Sequence, residues 1–379
     1  MEAGLSSAST ARDNPCMQTA IPTLFMRGGT SRGPFFVESD LPCEPALRDR
    51  VLRAVLGSPD RRQIDGLGGA HPLTSKAGIV RRSATPGVDL DFLFVQLQPD
   101  SARVDTTANC GNMLAAVAPF ALEMGLAAPR GATTTLRVLT LNTGMQCDMT
   151  VQTPNGRVNY EGAARIDGVP GSAAPIEIDF LDTAGSVCAS LLPTGNVKDV
   201  VDGIEVTCID NGMPLVLIPA TALGRSGYEG VAELNADADL KARLETLRLA
   251  CGHAMGLGDV SDKNYPKMTL VAPPRLGGSV CTRSFIPHVC HDAIGVLAAV
   301  TVATACMLDG SVADGIAVAP AGGGRISVEH PGGEFSVDLE VDPANPRNVK
   351  RAALLRTARL IMRGEVMVPQ TVWKKGITA

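Results

Sequence analysis

Two long segments of the sequence are apolar on almost every face of a helix. They cover residues 111–126 (GNMLAAVAPFALEMGL) and residues 291–308 (HDAIGVLAAVTVATACML), one in each half of the chain. A helix that is apolar all round is buried on all sides, and 18 residues would be long for a strand. The segments therefore predict two similar units, each built around a central buried helix that follows a polar cluster.

Short strand patterns surround both segments. Apolar residues alternate in runs such as residues 88–97, 176–180, 204–209 and 335–341, and Gly, Pro, Asn and Asp separate the runs. Helical spacing recurs at residues 45–56 and 234–255, whereas residues 353–362 favour a strand. We expect an α+β fold with a tail at 1–18, one domain at 19–192 and another at 193–379, whose last strand can return to the first domain.

Composition excludes several classes of protein. Hydrophobic residues make up 45% of the chain, which excludes global disorder, and aromatic residues only 3%, so small aliphatic side chains must fill the core. The net charge is −5 without a basic stripe, which predicts no nucleic-acid partner. The apolar stretches are shorter than a membrane span. Ten cysteines without a C-x-x-C pair predict reduced thiols, a cytoplasmic protein and no structural zinc.

Two glycine-rich clusters in the first half could approach a ligand. In the first, Arg27 offers a fork for a carboxylate, and the residues after it offer close backbone approach and hydroxyl donors (Gly28, Gly29, Thr30, Ser31). A simple turn after a strand would have the same composition. In the second, residues 62–76 read RQIDGLGGAHPLTSK, without the helix that a dinucleotide site requires. Lys76, at the end of this cluster, could be a solvated charge at the edge of a strand. If it is desolvated, its pKa would fall and it could act as a base.

Two further clusters precede the apolar segments. Cys110 stands at the predicted N-terminus of the first central helix, where a thiolate is favoured, although cysteine is also a common core residue. The second cluster contains His288 and His291 after Arg283, and Lys267 could join it. No metal-binding frame such as H-E-x-x-H is present, so anion binding or proton transfer is favoured over a metal. The sequence contains no G-x-S-x-G nucleophile elbow between a strand and a helix, which argues against a serine hydrolase.

In their order along the chain, these motifs resemble the 2-methylaconitate cis-trans isomerase family, and within it the 4-oxalomesaconate tautomerase branch, which serves gallate breakdown. The resemblance covers residues 21–368 and rests on R-G-G-T-S (27–31), G-S-P-D (57–60), Q-I-D-G-L-G-G (63–69), T-S-K (74–76), N-C-G-N (109–112), L-P-T-G-N (192–196), T-C-I-D-N-G-M-P (207–214), P-K-M (266–268) and T-R-S-F-I-P-H (282–288). It implies a diaminopimelate-epimerase-like fold, in which two β-barrel-like domains each enclose a central helix and the active site lies in the cleft between them.

The resemblance also implies the chemistry. Lys76 and Cys110 would be the proton-transferring pair of a cofactor-independent tautomerase or isomerase, with either residue acting first. Cys290 receives no catalytic role. The substrate would be a small unsaturated tricarboxylate, and self-association into a homo-oligomer stays open. Candidate substrate-binding residues are Arg27, Gly28, Gly29, Thr30, Ser31, Asp65, Gly66, Gly68, Gly69, Ser75, Asn109, Gly111, Asn112, Met113, Lys267, Arg283, Ser284, His288 and His291.

Two other interpretations fit the sequence. The same acid and base could isomerise 2-methylaconitate or a related aconitate by a cis-trans or allylic route. The chain could also be a non-catalytic accessory protein that binds polycarboxylates, although the presence of both Lys76 and Cys110 argues against this interpretation.

Overall fold

The computed structural model describes residues 17–375 except 108, 182, 321–322 and 343, so most of the predicted tail at 1–18 lies outside the described residues. The strands are β1 (Gln18–Gly28), β2 (Ser31–Val37), β3 (Lys76–Arg82), β4 (Leu90–Gln98), β5 (Ser101–Asp105), β6 (Thr133–Thr140), β7 (Gln146–Gln152), β8 (Ile176–Phe180), β9 (Asp199–Val201), β10 (Ile204–Asp210), β11 (Pro214–Pro219), β12 (Lys267–Ala272), β13 (Val280–Phe285), β14 (Gly323–His330), β15 (Gly333–Asp342), β16 (Asn345–Arg356) and β17 (Ala358–Pro369). The helices are α1 (Pro45–Leu56), α2 (Gly111–Leu114), α3 (Val117–Glu123), α4 (Val231–Ala236), α5 (Ala238–Ala254) and α6 (Val296–Cys306), with 3₁₀ turns at Glu38–Asp40, Pro72–Thr74, Pro154–Gly156 and Ala220–Leu223.

The first barrel-like set of strands wraps around α2 and α3. Pairing runs from β17 through β1, β2, β3, β4, β6, β7 and β8 to β16, and β5 pairs with β4. Only Thr357 separates β16 from β17, so this set of strands returns on itself. Inside it, α2 contacts β1 to β4, and α3 contacts β3 and β7.

The second set wraps around α6. It continues from β16 through β15, β14, β13, β12, β11 and β10 to β9, and α6 contacts β10, β11, β14 and β15. Two barrel-like halves around central buried helices confirm the expected α+β, diaminopimelate-epimerase-like architecture. The chain's last strand does pair with its first, whereas the boundary expected near residue 192 stays a prediction.

A single main core joins the two halves. It contains the buried side chains of α2, α3 and α6 together with the inward faces of the surrounding strands. Smaller apolar clusters lie beneath α1 and beneath α5, on the outside of the strands. The chemistry-bearing clusters that precede the central helices are therefore placed at the ends of buried elements.

The first apolar segment is not one continuous helix, contrary to the prediction. It forms two short helices that Ala115 and Ala116 separate, and Pro119 occupies the first turn of the second one. Proline has no backbone N–H, and its ring clashes with the carbonyl four residues earlier, here that of Ala115. Proline is tolerated only in a first helical turn, so the helix has to restart before Pro119.

The second apolar segment becomes helical later than predicted. Its helix begins at Val296 after Gly295, whose backbone is extended, and residues 291–295 lie outside it. The predicted helix at 45–56 is confirmed, with the Glu44 carboxylate accepting from the first-turn amides and Gly57 in the left-handed conformation (φ 75°). The predicted helix at 234–255 is divided at Asp237, which caps α5 by accepting from Leu240 N.

The strand predictions agree closely with the structure. The run at 176–180 coincides with β8, and residues 353–362 are extended on both sides of Thr357. Within the described ranges, no helix has both the length and the apolar character needed to cross a membrane.

Candidate active site

The loop after β1 packs directly on the start of α2. A Cβ atom at Gly28 would lie 2.3 Å from Asn112 O, and one at Gly29 would lie 2.1 Å from Asn112 Oδ1. Gly29 also has a φ of 51°, and Asn112 Nδ2 donates to Thr30 Oγ1 at 3.0 Å. Glycine is therefore required at both positions. The R-G-G-T-S and N-C-G-N motifs form one contact surface.

Arg27 and Ser31 present polar groups beside this contact. Arg27 Nη1 donates to Gly29 O and to the Thr357 carbonyl and hydroxyl oxygens at 2.8–3.1 Å. Burial, and then the charge of Arg359, lower the pKa of the Arg27 guanidinium below its usual value. The Ser31 hydroxyl is buried and has no hydrogen-bond partner. Arg27 is thus held in place by its neighbours, whereas the buried Ser31 hydroxyl is an unpaired polar group beside it.

Lys76 is a buried lysine rather than a solvated edge charge. Its residue is 7% exposed, its ammonium donates to Gln96 Oε1, and it lies 5.0 Å from the centre of the Phe94 ring. Gln96 is the direct cross-strand partner of Lys76, and its amide donates to the carbonyls of Pro72, Ser75 and Leu97. Those three bonds orient the Gln96 oxygen toward the lysine. No sequence pattern pointed to Gln96.

The second glycine-rich loop supports the residue before Lys76. Ser75 is fully buried, and its hydroxyl donates to Gln63 Oε1 at 2.8 Å. Gly68 lies against the same Gln63 side chain, and Gly69 lies against Thr74. Of the other predicted residues, Gly66 packs against Gly57, and Asp65 is exposed. This loop therefore fixes the start of β3, while the Asp65 side chain lies at the surface.

Cys110 is the N-cap residue of α2 and is partly exposed. The preceding Asn109 donates to the hydroxyls of Thr140 and Thr143 at 3.2 and 2.5 Å. Gly33 of β2 packs against both the start of β3 and α2. A Cβ atom on Gly33 would lie 1.9 Å from Lys76 O and 3.4 Å from Cε of Met113, a residue of the helix that Cys110 caps. The elements that carry Lys76 and Cys110 thus pack on the same short piece of β2.

The two central helices meet at Gly111. A Cβ atom on Gly111 would lie 2.3 Å from Val296 Cγ2, at the first residue of α6. The preceding residue, Gly295, lies next to Lys267, whose amine is 3.5 Å from the ideal Cβ position of that glycine. Burial lowers the pKa of Lys267 to about 8. Lys267 therefore belongs to the junction of the two halves, close to the start of α2.

Arg356 also lies near Cys110, and no sequence pattern pointed to it. The residue is 6% exposed, and its guanidinium stacks 3.6 Å from the centre of the Phe335 ring. Burial lowers the pKa of Arg356 to about 10, and the charge of the Cys110 thiolate acts in the opposite direction. The next residue, Thr357, holds the R-G-G-T-S loop through Gly29 N (2.9 Å) and Arg27. Arg356 is thus fixed beside the site by its own strand.

A cavity of about 440 Å³ opens next to these elements. Three arginines line it, Arg27, Arg32 and Arg359, together with the hydroxyls of Thr30 and Ser31. In the part of the chain that the structure describes, none of the three forms a salt bridge with a carboxylate. Because unpaired guanidinium groups are forks suited to carboxylates, the cavity favours a polyanionic ligand.

Several predicted residues of the second half lie elsewhere. Arg283 shares a face of β13 with Phe285, on the α5 side, and its guanidinium donates to Glu229 O and Thr282 O at 2.8 Å. His288 Nε2 lies 2.8 Å from Glu245 Oε2 of α5. The structure therefore does not bring Arg283 and His288 to Cys110, because strand alternation directs Arg283 away from α6.

Two others lie closer to α6. Ser284 faces the opposite side of β13 from Arg283, and its hydroxyl is 2.7 Å from that of Thr269. His291 is exposed near the start of α6, with Nδ1 within 3.1 Å of the Ala293 backbone. Among the described residues, no three His, Cys, Asp or Glu side chains cluster as metal ligands would.

Comparison with known proteins agrees with the motifs. A family model described as "PrpF protein" matches residues 18–369. A 4-oxalomesaconate tautomerase from Pseudomonas putida is 54% identical over 357 residues, which cover 94% of this chain and 98% of the relative. A (4E)-oxalomesaconate Delta-isomerase from Novosphingobium sp. is 56% identical over 348 residues, which cover 92% and 97%.

The architecture is similar to that of a solved relative. The crystal structure of a methylitaconate-delta-isomerase superposes with a TM-score of 0.84 at 33% identity, covering 96% of this chain and 99% of the other. All three relatives extend over nearly the whole chain, so the similarity includes both barrel-like halves and the junction between their central helices.

Proposed function

Because the chain belongs to the PrpF protein family, we propose that it is a cofactor-independent isomerase that interconverts tautomers of 4-oxalomesaconate, an unsaturated tricarboxylate. The proposal combines two kinds of support. Relatives more than 50% identical over nearly their whole length carry names for this reaction. The described residues offer an arginine-lined cavity. They also offer a buried amine, Lys76, and a partly exposed thiol, Cys110, which lie outside the lining of that cavity on elements that pack against β2.

The unpaired arginines of the cavity are the observation that carries the substrate class. Arg27, Arg32 and Arg359 line one space of about 440 Å³. Arg32 and Arg359 are exposed, whereas Arg27 is partly buried. Burying the Arg27 guanidinium without an anion is unfavourable, and its lowered pKa reflects this penalty. A ligand with several carboxylates would remove it. Substrate binding would thereby be strengthened by charges that are already in place.

The reaction requires removal of a proton from carbon and return of a proton elsewhere in the same conjugated system. Carbonyl and alkene groups next to that carbon delocalise the negative charge, so the substrate itself serves as the electron sink. One protein group must act as base and another as acid. We assign these roles to Lys76 and Cys110, and either residue can act first.

The surroundings of the two residues fit proton transfer. Gln96 and the Phe94 ring hold the Lys76 amine in a buried position, where few water molecules compete for it. Cys110 caps a helix without using its side chain as a hydrogen-bond acceptor, which leaves the thiol free to exchange a proton. Arginines beside the cavity would stabilise the negative charge that develops on the substrate oxygens.

The methylitaconate isomerase similarity favours one further candidate, the allylic shift of a double bond in a related unsaturated acid such as 2-methylaconitate. That reaction needs the same removal and return of a proton. Parallel ultraviolet assays with 4-oxalomesaconate, 2-methylaconitate and methylitaconate separate the candidates. We expect the highest kcat/KM with 4-oxalomesaconate, and a higher value with either other acid would contradict the substrate assignment.

Substitution of the proton-transfer pair tests the mechanism. We expect Lys76→Met and Cys110→Ser each to lower kcat by about 10²- to 10⁴-fold, the usual contribution of one acid or base. Lys198→Met and Cys43→Ser are matched controls at exposed positions and should retain wild-type rates. A variant of the pair that turns over like wild type would remove that residue from the mechanism. Exchange of substrate hydrogen in heavy water reports the proton transfer directly.

A further inference from the structure

Arg356 is a buried cation whose hydrogen-bonding groups are incompletely used. Only 6% of the residue is exposed, and its Nε atom has no hydrogen-bond partner. Nη1 donates to the carbonyl of the adjacent Leu355 at 3.0 Å. Buried guanidinium groups in proteins are normally paired, so an unused Nε at this depth requires an explanation.

No fixed anion compensates the charge. Within the ranges that the structure describes, no aspartate or glutamate forms an ion pair with Arg356. Its titratable neighbours are Cys110 and His330, and neither is a carboxylate. Burial is the main cause of the lowered pKa of His330, and an imidazole supplies no negative charge in its neutral or protonated form.

The guanidinium is held rigidly even though it is unpaired. It stacks on the Phe335 ring at 3.6 Å, which fixes the plane of its donors. Thr357 anchors the backbone on the other side by accepting from Gly29 N at 2.9 Å. An oriented, uncompensated fork next to Cys110 has the properties of a preformed carboxylate site, because little order must be gained when the anion arrives.

We propose that Arg356 binds a carboxylate of the substrate beside Cys110 and thereby orients the carbon with which Cys110 exchanges a proton. The inference rests on the proposed function for the identity of the substrate. It adds a fourth arginine, at the end of β16, to the three that line the cavity; Arg356 itself is not part of the lining, whereas Thr357 and Arg359 are. The adjacent Arg27 and Arg359 would then hold the more distant carboxylates.

The test compares Arg356→Met and Arg356→Lys with wild type. Arg351→Met is the matched control, because Arg351 lies on the same strand and pairs with Asp179 and Glu177. We expect Arg356→Met to raise KM for 4-oxalomesaconate by about tenfold to a hundredfold, the range for a lost charged hydrogen bond. The KM of Arg356→Lys should lie between those of wild type and Arg356→Met, because lysine keeps the charge but lacks the planar guanidinium group.

Calorimetry with tricarballylate, a tricarboxylate that cannot react, measures binding apart from turnover. We expect Kd to rise in Arg356→Met by the same factor as KM, and to stay unchanged in Arg351→Met. Thermal unfolding of the free protein supplies a second readout. Because Arg356 is an uncompensated buried charge, Arg356→Met should unfold at or above the wild-type temperature, whereas removal of a structural contact would lower it.

The outcomes separate this inference from the proposed function. Equal affinity of wild type and Arg356→Met for tricarballylate, including no binding by either, would overturn the role of Arg356. A lower kcat with unchanged KM and Kd would also overturn it, since Arg356 would then act through Cys110. Wild type that binds tricarballylate without turning over 4-oxalomesaconate would contradict the reaction alone. If Arg356→Met does not fold, the expected stabilisation is refuted and Arg356→Lys carries the binding comparison.

Discussion

Lys267 carries a charge whose burial is unfavourable in the free protein. Its amine lies next to Gly295, at the N-terminal end of α6, where the helix dipole also disfavours a cation. Desolvation lowers its pKa to about 8. A bound anion would offset both the desolvation and the helix dipole, and would thereby favour the protonated amine. If the proposed substrate binds here, Lys267 would connect its binding to the protonation of a single group near neutral pH.

We expect KM for 4-oxalomesaconate to increase about tenfold per pH unit above pH 8, because the anion binds the protonated amine and this form is lost as pH rises through the pKa. Below pH 8 the amine is already protonated and KM should be flat. Steady-state kinetics between pH 6.5 and 9.5 give the profile.

Lys267→Met should have a raised KM at pH 7 and no such rise above pH 8. Lys198→Met, at a surface ion pair, serves as the control and should follow wild type. A wild-type profile that stays flat to pH 9.5 would show that the Lys267 charge does not contribute to binding. Calorimetry in two buffers of different ionisation enthalpy should show proton uptake on binding at pH 8.5.

The two central helices limit what can occupy the junction of the halves. Gly111 and Val296 are the first residues of α2 and α6, and they touch closely enough that Gly111 has no room for a side chain. The φ angle of Gly111 is not in the left-handed region, so the requirement for glycine is steric rather than conformational. Changing one helix end must therefore displace the other.

Gly111→Ala should destabilise the protein by about 1–3 kcal/mol, the usual penalty of overpacking, and should lower kcat by displacing Cys110. Val296→Ala in the same chain removes the two methyl groups, of which Cγ2 makes the shortest contact at 2.3 Å, but leaves Cβ at 2.9 Å, and should therefore restore part of both properties. Urea unfolding and steady-state kinetics of the two single variants and the double variant form the test. A double variant no better than Gly111→Ala would refute steric contact as the cause.

Strand periodicity and motif spacing predicted much of the fold. The alternation in residues 176–180 corresponds to β8, and the apolar segments correctly indicated a buried centre in each half. β2 was not among the predicted strands, because its sequence, SRGPFFV, contains Gly and Pro and has no clean alternation. The break before Pro119 follows from its missing N–H. The prediction of one continuous helix gave more weight to the apolar pattern than to this local rule.

The candidate site could be predicted only where it is local in sequence. Cys110 and Lys76 stand in recognisable motifs, and the structure places their elements together through Gly33. Gln96 and Arg356 come from strands whose positions depend on register, Gln96 opposite Lys76 and Arg356 opposite Ile176. No spacing along the chain encodes such pairings. Arg283 stood in a motif, yet alternation along β13 turned it toward α5.

At the level of the whole molecule, the first barrel-like half depends on the end of the chain. β17 pairs with β1 over the entire length of β1, from Gln18 opposite Pro369 to Gly28 opposite Ala358. Arg27 and Gly29 reach across this pairing to Thr357. The C-terminal strand is thus part of the support of the R-G-G-T-S loop.

Deletion of residues 358–379 should abolish activity and cooperative unfolding, because β1 loses a strand partner along its full length. Circular dichroism during heating and size-exclusion chromatography report the loss. A synthetic peptide of residues 358–375 added during refolding should restore part of the activity. If the truncated chain unfolds like the full-length protein, β17 does not support the first half.

The pairing of β1 with β17 has a consequence for biosynthesis. The ribosome synthesises residues 18–28 more than 300 residues before their partner strand, so at ~5–20 residues per second β1 waits on the order of 20–70 s. During that interval β2 can cover one edge of β1, whereas the other edge stays open to strands of neighbouring nascent chains. On a crowded polysome, yield should therefore depend on how well chaperones shield the emerging N-terminal half until residues 358–369 have been synthesised.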